Sequence, residues 1–422
     1  MANVNYASPT AARDIMLLKK VEKGDVRRVE AMLAAGASVD GPAVPTYEIG
    51  RPLMAAVTSG NIKMTKCLIS NGADVDAPSP LKLSDPEGRM FLCRGVRAVH
   101  VAVVNAMPQQ LEVLLDAGAD PNIAHSEGVT PLMATCQMMR PGERVDMARQ
   151  LLEAGANPNV QDPKGWLPLF YASCHEEPEV MELLLSFGPA TVHHVASDGS
   201  TPLYMASGFG KERLVSLLLS AGAKQPPSGL ATTRCPLDIA VTNNNEAVVR
   251  VLLDRGLGAI GGSRVLPNAL NLAVMRKGRT RILRMLLAAE GEARRQHWAR
   301  VFFEVTPMLG WAVASNRLEE ATILLEAGAD ESVPDGFGRK PSTIIALHLE
   351  PDERNKRTEA AIRRLLERAP AMRARSWAWP AGARAAPTPR KASTKTVPPV
   401  RIYLPEGRKR FVWGASRYAK KR

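Results

Sequence analysis

The stretch Leu114-Leu115-Asp116-Ala117-Gly118-Ala119-Asp120 decides the fold, because the chain repeats it. It returns as Leu151-Leu152-Glu153-Ala154-Gly155-Ala156-Asn157. It occurs earlier as Leu68-Ile69-Ser70-Asn71-Gly72-Ala73-Asp74 and, shortened, as Met32-Leu33-Ala34-Ala35-Gly36-Ala37. Further copies end at Gly188, Gly222, Gly256, Gly291 and Gly328, and Leu365-Leu366-Glu367-Arg368 is a tenth that has lost its glycine. Successive glycines lie 36, 46, 37, 33, 34, 34, 35 and 37 residues apart. A period of this size marks a stack of small supersecondary units. Leu111, Leu114 and Leu115 stand at helical spacing, so the phrase closes a helix. Gly118 stops that helix, since the left-handed position after a last turn favours glycine.

A second phrase lies upstream in most units: Arg51-Pro52-Leu53-Met54, Thr130-Pro131-Leu132-Met133, Leu167-Pro168-Leu169-Phe170, Thr201-Pro202-Leu203-Tyr204 and Cys235-Pro236-Leu237-Asp238. Threonine is a good N-cap, because its hydroxyl accepts from a free backbone N–H. Proline suits the first helical turn, where its missing N–H costs nothing. Small residues such as Ala206 and Ala240 let this first helix lie close to its neighbours. The period and the T-P-L-H-x-A phrase resemble the ankyrin repeat. The resemblance covers about Thr10 to Ala369. It implies an all-α solenoid of about ten helix-turn-helix units with short hairpin loops. Tetratricopeptide repeats have a similar period, but their Trp-Leu-Gly-Tyr pattern is absent.

The expected organisation is a flexible segment at 1–10, repeats over 11–369 and a tail at 370–422. Both ends of the repeat region look like caps. Lys19, Lys20, Glu22, Lys23, Arg27, Arg28 and Glu30 charge the first unit, and Asp352, Glu353, Arg354, Lys356 and Arg357 begin a charged last one. Polar outer faces on terminal units keep such a stack soluble. Several units depart from the pattern. Asp76 to Val99 is about ten residues too long and reads as an extended finger loop, at about 77–98. Pro141-Gly142 reads as a smaller insert between two helices. The unit before Gly291 has Asn268-Ala269-Leu270-Asn271 in place of Thr-Pro, and the next has Met308-Leu309-Gly310-Trp311 without the usual His.

The net charge of +13 is not spread over the chain. Residues 371–422 hold fourteen of the 55 basic residues and one of the 42 acidic ones, which leaves 41 of each in 1–370. Two regions with different partners follow from that asymmetry. No run of eighteen apolar residues occurs, so no membrane span is expected. The start is short and polar, unlike a secretory signal, and Ala2 excludes myristoylation. The cysteines, Cys67, Cys93, Cys136, Cys174 and Cys235, are odd in number and widely scattered. A disulfide framework or zinc site is not expected, and a reducing compartment, cytoplasm or nucleus, fits best.

No catalytic, cofactor or metal constellation stands out. His100 matches the His of the repeat phrase and is expected to bond the repeat backbone. Cys174 and His175 are adjacent, so on a helix they point apart and form no dyad. His193 and His194 read as loop residues. Gly256, Gly258, Gly261 and Gly262 have helical flanks and make no phosphate loop.

The resemblance implies that partners meet the hairpin loops and the inner, first-helix face. At the loop positions stand His125, Glu127, Gln161, Lys164 and Trp166, and Phe209 ends a first helix. Trp166 allows two readings. As a partner anchor, Trp166→Ala weakens binding and leaves stability nearly unchanged. As a packing residue that helps replace the lost threonine at Leu167, the same change brings a large loss of stability.

In the tail, Pro380, Pro387, Pro389, Pro398 and Pro399 interrupt any helix, and the composition reads as disordered. Basic clusters Arg408-Lys409-Arg410 and Lys420-Lys421-Arg422 alternate with Trp377, Trp379, Tyr403, Phe411, Trp413 and Tyr418. Four readings stay open: a nuclear-import address, a contact to nucleic acid or another acidic surface, a segment that orders on a partner or on the repeats, and a solvated tail. The sequence therefore points to a non-enzymatic protein–protein scaffold, expected to be monomeric and cytoplasmic or nuclear. The alternative is a subunit of a nucleic-acid or ribonucleoprotein assembly whose tail contacts RNA or DNA.

Overall fold

The computed structural model describes residues 9–41, 51–78, 83–84, 90–91, 95–137, 141–224, 235–256, 265–289, 302–303, 306–334, 338–344 and 353–375. These residues form ten successive helix pairs, from Pro9–Glu22 with Val26–Ala34 to Pro341–Ile344 with Glu353–Arg375. First helices pack on first helices of the next unit: Pro202–Gly208 lies against Pro236–Thr242, which lies against Val265–Met275. Second helices do the same, as Glu212–Ser220 packs on Glu246–Asp254. These residues form an all-α solenoid of ankyrin type, as the repeat phrases imply.

Local chemistry explains each unit. Thr201 Oγ1 accepts from the Tyr204 amide at 3.1 Å and Thr130 Oγ1 from Met133 at 3.3 Å, with proline at the following position. Asn61 caps a second helix by accepting from the Met64 amide at 3.1 Å. Glycine is needed where the second helix ends, since Gly118 has φ +87°. Gly188 is different: its φ is −144°, and a Cβ there would meet Pro158 Cγ at 2.8 Å. Close approach of the neighbouring unit, not a left-handed turn, demands that glycine.

Side chains then zip each unit to the next. Asp40 accepts from the Asp74 amide at 3.1 Å, Asp76 from Asp120 at 3.2 Å and Asn122 from Asn157 at 2.7 Å. On the opposite end of the helices, the residue before a second helix reaches back to the preceding first helix. Asn245 Nδ2 donates to the Ser207 carbonyl at 2.8 Å, Arg279 Nε to Val241 at 2.6 Å and Arg317 to Val274 at 2.9 Å. These bonds satisfy carbonyls that every helix C-terminus leaves open. Most of the interior among the described residues is one continuous apolar cluster running from Leu17 to Ala369. No single unit buries its faces alone, so stability comes from stacking.

Several expectations are corrected. Pro141-Gly142 is not a loop insert but the first turn of the thirteen-residue helix Pro141–Glu153. The Glu143 carboxylate in that turn suits a helix N-terminus. His193 closes the 3₁₀ helix Pro189–His193. The first helix starts at Pro9, and the last runs through Pro370 to Arg375, with Met372 packed on the core. In the long finger, Leu83–Ser84 pairs antiparallel with Met90–Phe91, Leu83 opposite Phe91. A second such pair joins Phe302–Phe303 to Thr306–Pro307. The tail residues Arg408, Lys409, Arg410, Lys420, Lys421 and Arg422 lie outside the described residues, as do Cys93 and Gly258 to Gly262.

Candidate interaction surface

The hairpin tips are held by single polar residues at their bases. Asp162 is buried, and its Oδ1 accepts from the Lys164 amide at 2.8 Å and the Trp166 amide at 2.7 Å. Its Oδ2 accepts from the Tyr171 hydroxyl at 2.8 Å. Burial, then the bond to Asp162, pushes the Tyr171 phenol well above its ordinary range. One carboxylate thus locks hairpin to helix. Gly165 completes the turn with φ +77°, and Ser197 donates its amide to the Lys164 carbonyl at 3.2 Å.

One unit earlier, His125 takes the place of Asp162. Its Nδ1 accepts from the Glu127 amide at 3.1 Å. Its ring lies 5.5 Å from that of His100, which is 1% exposed and accepts from the Arg97 amide at 3.3 Å. Burial above all, then the His125 charge, lowers the His100 pKa to about 4. Burial also lowers His125, against a smaller raising effect of Glu127. Both imidazoles serve as neutral acceptors.

Of the residues singled out from the sequence, the structure exposes Gln161, Lys164, Glu127 and Phe209, and it turns two others inward. His125 locks its hairpin. Trp166 is half-buried and stacks on Phe170 at 6.1 Å between ring centroids, meets Tyr171 edge-on at 5.6 Å and carries Lys164 Nζ 5.3 Å from its centroid. Leu167, Phe170 and Ala196 form a small separate cluster beneath it. His194 bonds the Gly165 carbonyl at 2.9 Å and meets Phe170 edge-on at 5.9 Å. Trp166 therefore packs its hairpin onto the helix Pro168–Ala172 that follows, and Phe170 at the His place of the phrase is fully buried.

Two polar features escaped the sequence reading. Arg144 is buried and pairs with Glu177 of the next unit at 3.3 Å. Burial lowers the one and raises the other despite their attraction, so desolvation outweighs the pairing. The second is the series of side chains ahead of second helices, Asn245, Arg279 and Arg317; only aligning the units by the starts of their second helices brings them into one register.

The described cysteines are not activated as nucleophiles. The Cys174 Sγ lies 3.5 Å from the Phe170 carbonyl and burial pushes its thiol up to about 12, the reverse of an activated cysteine. Cys136 and Cys235 are likewise pushed up to about 12 by burial. Among the described residues no three His, Cys, Asp or Glu side chains are placed to hold a metal ion. No helix among them is long and apolar enough to cross a membrane.

Comparison with known families agrees with this geometry. A family model of ankyrin repeats in three copies matches residues 99–193 and 178–260, and a single ankyrin-repeat model matches residues 51–80. No curated protein matches the chain. Helix pairs of the same order continue to Glu353–Arg375, beyond the matched residues. Repeat phrases, caps, inter-unit zippers and family matches coincide, and the chain is an ankyrin-repeat protein.

Proposed function

We propose that the chain is a non-enzymatic scaffold that holds protein partners on its hairpin tips and first-helix face. Ankyrin repeats are protein-interaction modules in general. The observation that supports the scaffold reading is the state of the tips. Exposed Glu127, Gln161 and Lys164 stand on turns whose backbones are tied down by His125 and Asp162. A pre-ordered tip loses little entropy on binding, which favours recognition. The wide scatter of the five cysteines supports a cytoplasmic or nuclear setting. Crosslinking with mass spectrometry on the full chain and its partner tests the proposal. Crosslinks at Lys164 and along the first helices are expected; a partner joined only through residues 371–422 would sink it.

The charge of the tail supports a second reading, a subunit of a nucleic-acid or ribonucleoprotein assembly. Fourteen basic residues with interleaved aromatics suit phosphate contact and base stacking. Affinity for a single-stranded oligonucleotide should then fall steeply with salt and vanish on deletion of residues 371–422. Binding that ignores both changes excludes this reading.

A further inference from the structure

We propose that the first-helix face running from the unit of Phe209 to the unit of Trp311 docks an extended, acidic segment of a protein partner that carries bulky apolar side chains. The proposal rests on the interaction reading above and names the chemistry of the partner.

Met205, Ile239 and Trp311 occupy the same place, the fourth residue of helices that begin at Pro202, Pro236 and Met308, and Leu272 holds it in the unit between. Consecutive packing of these first helices sets the four half-buried side chains in a row. Phe209 stands at the start of the row and is 53% exposed. The same place in earlier units holds Ala55 and Ala134, or buried Val101 and Tyr171. At this place of the first helix, accessible apolar bulk is therefore concentrated in the later half of the stack. Neighbouring helix axes lie about 8–10 Å apart, so the row spans about 30 Å, the reach of roughly nine extended residues.

Cations gather at the far end of that row. Arg276 and Lys277 are exposed and have no ion pair among the described residues. Arg279 feels both Arg276 and Arg317 as like charges. Arg317 also lies 4.9 Å from the Trp311 ring centroid and pairs with Glu320 at 3.8 Å. Clustered like charge is unfavourable until an opposite charge meets it, and tryptophan and arginine are among the residues that carry most binding energy at protein interfaces. The chain's own tail has the wrong sign to fill the site, with one acidic residue against fourteen basic ones. Between the aromatic ends of the row lie only Met205, Ile239 and Leu272, which favours a peptide over a nucleic acid that binds by stacking successive bases on aromatic rings.

Random twelve-residue peptides displayed on phage are selected on the full chain. Enriched peptides are then measured by fluorescence anisotropy on the full chain, the R276E/K277E variant and the F209S variant. All three positions are exposed, and thermal melts verify folding. The expected peptides are acidic with bulky apolar residues, lose about tenfold or more in affinity on R276E/K277E and about fivefold on F209S. Enrichment of neutral or basic peptides, no enrichment, or affinities unmoved by R276E/K277E (the behaviour of peptides held by the basic tail) overturns the proposal. So does a twelve-nucleotide single strand whose binding is lost on R276E/K277E. The crosslinking experiment separates the failures. Crosslinks confined to the hairpin tips sink this proposal alone, and none anywhere within residues 9–370 sinks the scaffold reading as well.

Discussion

Replacing Trp166 by alanine separates a packing residue from a partner anchor. Truncating a fully buried tryptophan costs about 3–5 kcal/mol. Trp166 is half-buried, which brings this to about 2 kcal/mol, and its contacts with Phe170 and Tyr171 add up to about 1 kcal/mol. Its buried indole Nε1 has no acceptor among the described residues, so losing it returns about 1 kcal/mol. The net expectation is a loss of about 2 kcal/mol. Neighbouring units of a repeat stack open piecewise, so the loss concentrates around one hairpin. Native-state hydrogen exchange reads it at the Phe170 amide, bonded to the Leu167 carbonyl, and the Ser173 amide, bonded to the Leu169 carbonyl. Both should exchange about thirtyfold faster, while amides of the first unit do not change. An acceleration below threefold, with partner binding lost, would refute the packing argument and restore the anchor.

Acidification should weaken the fold through the His100–His125 pair. The folded pKa of His100 lies below the ordinary 6.5, so its contribution is complete above pH 6.5 and is lost as pH falls toward about 4. The loss reaches about 3 kcal/mol at most, and His100→Gln, which keeps an acceptor but does not titrate, should flatten the slope of melting temperature against pH between 4 and 6.5; an unchanged slope sinks the assignment. Asp162→Ala strands the amides of Lys164 and Trp166 and the Tyr171 hydroxyl and should cost about 2–4 kcal/mol in urea melts, whereas a cost under 0.5 kcal/mol would mean the lock is idle. Gly118→Ala meets no atom within 4 Å and should cost only the backbone strain of about 1–2 kcal/mol. Gly165→Ala adds contacts of 2.9 Å to Ser197 Oγ and 3.1 Å to its amide, and should be the more destabilising of the two; the reverse order would contradict the hairpin geometry.

The sequence by itself determined the repeat. A glycine every 33 to 46 residues, the leucine pair before it and the proline upstream are local signals, because helix caps and left-handed turns act over a few residues. The same locality let His100 be assigned to the backbone. It also let the tail be set apart by charge. Where the reading stopped at one unit it left contacts unseen: His125 meets His100 of the preceding unit, Trp166 stacks on Phe170 of the helix that follows its hairpin, and Gly188 looks like the other glycines until Pro158 is set against it. Pro141-Gly142 looked like a loop because proline and glycine also open helices. Only the tertiary structure decided which side chains meet across units: Arg144 with Glu177, Arg279 with the carbonyls of Val241 and Thr242, and the row from Phe209 to Trp311. The partners in those pairs lie about one period apart in the chain, and no rule of local propensity specifies them. Stacking alone brings them within reach, since each unit buries its faces only against its neighbours.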